Sequence, residues 1–169
     1  MSNLSEPTMD GEEGCVEHFA EIARTLINDW PRFSPMLEPG AANRGIAAFK
    51  AELRSRAFAD FCVDYAEKAI CTDGLTVDYY IGSTVVEIAM NLRDPNSEFE
   101  RSILKCMMAM GNLHAVTRLV FLAKPGARAR CNTPTRKALA AWAEREQGLV
   151  VDVIEFGPTS EGILDTNDE

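Results

Sequence analysis

The chain has 169 residues, 46% of them hydrophobic and 25% charged, with a net charge of −9. That balance excludes a fibrous or intrinsically disordered protein and leaves enough apolar material for one ordinary core. No apolar run approaches the roughly 20 residues that a membrane span needs. The N-terminus, M-S-N-L-S-E-P-T-M-D-G-E-E, lacks the basic start and apolar stretch of a signal peptide, so a cytoplasmic location is the expectation.

Residues 1–13 read as a disordered acidic lead-in, 14–157 as a single α/β domain and 158–169 as a mobile acidic tail. Within the domain, Val16, Phe19, Ala20, Ala23 and Leu26 recur at helical spacing, which predicts a helix over Cys15–Asp29 that stops at Trp30-Pro31. Arg32–Gly40 is rich in proline and predicts a loop. Ile46, Phe49, Leu53, Ala57, Phe61 and Tyr65 recur at threes and fours, which predicts one long helix from Asn43 to Ile70, closed by turn chemistry at Thr72-Asp73-Gly74.

Two β-rich runs then flank Gly82-Ser83, a suitable two-residue type II′ hairpin loop. Counting outward, Ile81 faces Thr84, Tyr80 faces Val85, Tyr79 faces Val86, and Asp78 faces Glu87. Alternation puts Val77, Tyr79, Ile81, Val86, Ile88 and Met90 on one apolar face, and Asp78, Tyr80, Val85, Glu87 and Ala89 on the other. Asn91–Asn96 predicts a loop. Ser97 with Glu100 forms a capping box that opens a helix ending at Gly111. Ala115–Ala123 predicts a buried strand and Lys124–Asn132 a loop. Thr133-Pro134 is an N-cap with proline at the first helical position, so a helix should run to about Gln147. Leu149–Phe156 predicts a last strand. Strands and helices alternating in the second half imply a mixed central sheet with helices on both faces.

The chemistry lies in the hairpin. Two carboxylates directly opposite each other have Cβ atoms about 5 Å apart, and like charges there repel. A proton or a cation between them relieves that repulsion, so Asp78 and Glu87 form a candidate divalent-metal site. The plain alternative is that both lie on a solvated sheet face. Glu17 and Glu21, one turn apart on the first helix, are candidates for a further acid, or for another solvated face.

The stretch from about Gly74 to Phe156 resembles the PD-(D/E)xK superfamily of nucleases, the restriction-endonuclease-like fold. In that pattern an Asp on one strand and an acid-x-Lys on the next bind Mg²⁺ and position the attacking water. The matching positions are Asp78 and Glu87-Ile88-Ala89, and Ala89 stands where the Lys is expected. Some members supply the Lys from the following helix, and Lys105 lies on that helix with Glu98, Arg101 and Ser102 along one face. The resemblance implies a Mg²⁺- or Mn²⁺-dependent nuclease with Asp78, Glu87 and Lys105 as its catalytic set, acting on nucleic acid, DNA foremost, and often as a homodimer. It equally admits a domain that has lost catalysis and serves as an interaction scaffold.

The acidity fits either outcome, because it is concentrated at the ends. Residues 1–29 hold seven acids and one Arg, and 158–169 hold four acids and no base. Between Arg118 and Lys137 there are six basic residues and no acid. Lys124, Arg128, Arg130, Arg136 and Lys137 are therefore candidate phosphate contacts, against the plain reading of a solvated loop. The five cysteines are scattered without a C-x-x-C pair, which predicts reduced, mostly buried thiols and no zinc site. No G-x-G-x-x-G, P-loop or nucleophile elbow supports a small-molecule enzyme.

Overall fold

The computed structural model describes residues 9–38, 45–70, 74–90, 92 and 98–157. The elements are α1 (Met9–Asp29), a 3-10 turn (Ser34–Leu37), α2 (Ile46–Phe61), β1 (Ala66–Ala69), β2 (Thr76–Ile81), β3 (Thr84–Ile88), α3 (Glu98–Gly111), β4 (Arg118–Ala123), α4 (Ala127–Cys131), α5 (Pro134–Gln147) and β5 (Val150–Glu155). The five strands form one mixed sheet in the order β1-β2-β3-β4-β5. The β1–β2 and β2–β3 pairs are antiparallel; β3–β4 and β4–β5 are parallel.

Helices cover both faces of this sheet. On one face, Phe19, Ala23 and Leu26 of α1 and Phe49 and Leu53 of α2 pack on Tyr79, Ile81, Val86, Ile88, Val120 and Leu122. On the other, Phe99, Ile103 and Cys106 of α3 and Ala143 of α5 pack on Val85, Ala89, Leu119, Phe121 and Val153. Successive residues of β4 therefore feed opposite layers, and the strand is buried on both faces, which accounts for its nearly unbroken apolar sequence.

The hairpin forms at the expected turn. Ile81 pairs with Thr84, Tyr80 with Val85 and Tyr79 with Val86. Gly82 takes a φ of +58°, the left-handed conformation that a II′ loop requires at its first position. Thr133 caps α5 through the Arg136 N–H, with Pro134 in the first turn and Gly148 as the left-handed C-cap.

Several expectations are corrected. The long helix over Asn43–Ile70 stops at Phe61, where Cys62 turns left-handed with φ +55°, and Ala66–Ala69 is an edge strand. Phe61 and Tyr65 kept the helical spacing because both rings still pack against the same core. Residues 9–13 belong to α1 rather than to a disordered lead-in. The expected loop over Lys124–Asn132 holds the short α4. Val77 joins the layer under α3 rather than that of Tyr79. Near this point β2 diverges from β3 and follows β1, and Glu67, across from Asp78 in the β1–β2 register, is distorted to φ +48°. Residues 1–8, the turn at Thr72-Asp73, the loop positions 91 and 93–96, Ser97 and the tail 158–169 lie outside the described residues.

Candidate functional site

The β2–β3 ladder ends at Tyr79–Val86, one pair short of Asp78 and Glu87. The strands fork there, and Asp78 fills the fork. Its Oδ2 accepts the Ile88 backbone N–H at 2.9 Å, a donor that a continued ladder would have paired with backbone. The two acids are thus neighbours across a fork rather than a closed cross-strand pair, and each has its own ammonium.

Asp78 is held from the α2 side. Lys50 donates to both of its oxygens, at 2.6 and 2.7 Å. The Tyr79 hydroxyl donates to the Lys50 carbonyl at 3.3 Å, fixing the helix against the strand. Glu87 is held from the α3 side, where Lys105 donates to its Oε1 at 2.9 Å. Lys105 thus brings to Glu87 the ammonium that Ala89 lacks. The second pair is the drier one: Lys105 and Glu87 side chains are 16% and 10% exposed, against 35% and 22% for Lys50 and Asp78.

These environments act on the acids. Burial, and then the negative charge of Asp78, push the Glu87 carboxyl's pKa up, with Lys105 opposing both. Glu98, in the first turn of α3, is also pushed up, first by burial; Arg101 lowers it most, and the charges of Lys50, Asp78 and Lys105 act on it too. Asp78, Glu87 and Glu98 therefore share one electrostatic neighbourhood with Lys50, Lys105 and Arg101. Sequence reasoning missed Lys50, which lies nearly thirty residues before Asp78 on an element outside the motif. Glu98 carried a signal, its place on the Lys105 face of the same helix.

Beside the fork, a cleft of about 350 Å³ is lined by Ala47, Lys50 and Arg54 of α2 and by Glu67, Asp78 and Tyr79. Arg54 is engaged there with Asp64 and Glu67.

The donor set suits the metal that the motif implies in type but not yet in charge. Asp78 and Glu87 offer hard carboxylate oxygens on adjacent strands, and Mg²⁺ needs only one or two protein carboxylates. Among the described residues no group of three or more His, Cys, Asp or Glu could hold a metal ion. Each acid is already neutralised by a lysine, so an ion can be held between them only if a lysine yields.

The basic residues after β4 do not form one surface. Lys124 and Arg136 are buried, at 6% and 2% exposed. Burial, and then the Arg130 charge, lower the Lys124 ammonium's pKa. Arg136 is a clamp: it donates to the Leu92 carbonyl at 2.7 Å and to Glu100 at 3.3 Å, with its guanidinium 5.2 Å from the Phe99 ring centre. Arg128, Arg130 and Lys137 are exposed. Arg128 and Lys137 border a groove of about 220 Å³ beside β5, where Arg128 also donates to the Val153 carbonyl at 2.6 Å.

Glu17 and Glu21 stay on the exposed side of α1, Glu21 beside Arg24 at 3.4 Å and Glu17 4.0 Å from Arg118. Cys15, Cys62, Cys106 and Cys131 are free thiols; Cys106 is buried and Cys62 is exposed, while Cys71 lies outside the described residues. No described helix is long and apolar enough to cross a membrane. Compared with family models, curated proteins and solved structures, the chain matches none.

Proposed function

We propose that the fork is the active site of a metal-dependent phosphodiesterase of the restriction-endonuclease-like kind, with DNA as the substrate, Mg²⁺ or Mn²⁺ as the cofactor, and a homodimer as the working assembly. One observation carries this reading: Lys105, from the helix after the acid-x-Ala element, bonds Glu87 at 2.9 Å. A helix-borne lysine thereby joins two strand-borne acids.

In this reading each residue has a task. Asp78 and Glu87 would hold the metal, which when bound supplies Lewis-acid activation and counter-charge for the phosphoryl oxygens. The Ile88 N–H orients the Asp78 carboxylate. Lys105 opposes the upward shift that burial and Asp78 impose on Glu87, and its ammonium is placed to steady negative charge growing on a phosphate. Arg128, Arg130 and Lys137, exposed beyond the parallel strands, would meet the polyanion's flanking phosphates. Their contribution should weaken steeply with salt.

The test is incubation of the full chain with plasmid DNA and with RNA, in Mg²⁺ or Mn²⁺. Cleavage should appear with metal, vanish in Asp78→Ala and Glu87→Ala, and fall about a hundredfold or more in Lys105→Met. Cleavage that is equal in the parent and both acid variants contradicts the reading.

A second reading has its own support. Asp78 and Glu87 are already paired with lysines, as expected of a nuclease-like scaffold that binds nucleic acid or protein without cutting. Salt-sensitive DNA binding by a chain that never cleaves, in either metal, would favour it.

A further inference from the structure

We infer that Lys50 occupies the metal seat on Asp78, and that a divalent ion enters by displacing its ammonium into the neighbouring cleft. This rests on reading Asp78 and Glu87 as a metal pair, and goes beyond it by assigning a residue outside the motif.

The geometry of the contact is the first support. Lys50 Nζ lies 2.6 Å from one Asp78 oxygen and 2.7 Å from the other. It straddles the carboxylate where a chelated cation would sit. With the Ile88 N–H also on Oδ2, Asp78 accepts three hydrogen bonds, and a carboxylate has about four lone-pair positions. An incoming ion cannot gain both oxygens while the ammonium remains.

The surroundings are the second support. Lysine is a compact charge on a flexible four-carbon stem, so the ammonium can move while α2 stays packed through Phe49 and Leu53. The cleft beside it gives room, because Ala47 and Ala51 leave that face of α2 open. A receiving acid is already there: Glu67 lines the same cleft, and its 75%-exposed side chain accepts from Arg54 at 3.1 Å. Lys50 and Arg54 are one helical turn apart and face the same cleft. Lys105 sits in a drier place, 16% exposed beside a 10%-exposed Glu87.

The metal therefore competes with an internal cation, and the parent protein should bind it weakly. Mn²⁺ binding followed by electron paramagnetic resonance and calorimetry on the full chain tests this. Lys50→Met should tighten Mn²⁺ binding about tenfold or more, as removal of one nearby positive charge does at a half-exposed site. Lys50→Gln, which keeps a donor on Asp78 without the charge, should tighten it similarly and guards against misfolding of the first variant. Lys50→Arg should bind as weakly as the parent, and Asp78→Asn should abolish binding in every background. Unchanged or weaker binding in both neutral variants, with binding still dependent on Asp78, overturns the role of Lys50 and leaves the metal pair standing. Absence of Asp78-dependent Mn²⁺ binding in every variant removes the metal pair and this inference together.

Discussion

Asp78 and Glu87 stand on adjacent strands and carry the same charge, yet the fold treats them differently. Asp78 lies at an open fork, clasped by a half-exposed lysine from α2 and bordered by a cleft. Glu87 lies inside, bonded to a nearly buried lysine from α3. The difference follows from the sheet. β3 is central and covered on both faces, whereas β2 pairs with it only from Tyr79 onward, its earlier residues following the edge strand β1. The buried pair is therefore a fixed part of the fold, and the open pair is the exchangeable one.

The largest expected effect lies on the buried side. Lys105→Met leaves Glu87 dry and without its ammonium, and should cost about 3 kcal/mol of stability at neutral pH, measured by urea denaturation. Much of that loss should return on acidification, as Glu87 takes up a proton. A cost near zero would put Glu87 in water and erase the contrast between the two acids.

Next is the pH dependence. The folded-state pKa of Glu87 is raised from its ordinary 4.5, so above that value the folded chain holds a proton that the unfolded chain has released. Stability should then fall as pH rises through this window. Glu87→Gln should flatten the fall, read as melting temperature against pH, by comparison with the parent. Glu98 shares the direction of shift, so a residual slope should persist and shrink further in the double Glu87→Gln, Glu98→Gln variant. A slope left unchanged by Glu87→Gln would contradict the assigned burial.

The open pair should respond less. Lys50→Met should cost about 1 kcal/mol or less in the same urea titration, since solvent screens a half-exposed ion pair. A loss as large as that of Lys105→Met would make Lys50 a structural residue and weaken the case for its displacement. Smallest of all is Arg54→Ala, on the outer wall of the cleft. Its exposed pairs with Asp64 and Glu67 should leave the melting temperature close to that of the parent and insensitive to added salt.

What could be read from the sequence follows the range of the forces involved. The Gly82-Ser83 loop, the Thr133-Pro134 start of α5 and the Gly148 stop are local chemistry, and each was legible. The β3 and β4 runs were legible because burial on both faces selects apolar residues throughout. Ala66–Ala69 was not: Ala-Glu-Lys-Ala favours helix, and only pairing with Thr76–Tyr79 makes it a strand. Its exposed Glu and Lys suit an edge. In the site, the two acids and the reach of Lys105 could be read from hairpin counting and helix phase. The fork could not, because it depends on how far β2 follows β1 rather than β3. Lys50 could not either, since its approach to Asp78 is made by tertiary packing of α2. Arg136 looked like a surface phosphate contact, yet it folds inward onto Leu92, Glu100 and Phe99.

In the proposed site Asp78 and Glu87 serve one ion in spite of their separate lysines. Crystals soaked in Mn²⁺ and measured at its absorption edge address this directly. One anomalous peak per chain is expected, coordinated by an oxygen from each acid, with the Lys50 ammonium withdrawn toward Glu67. No peak at the fork, or a peak on one acid with Lys50 still clasping Asp78, would contradict it.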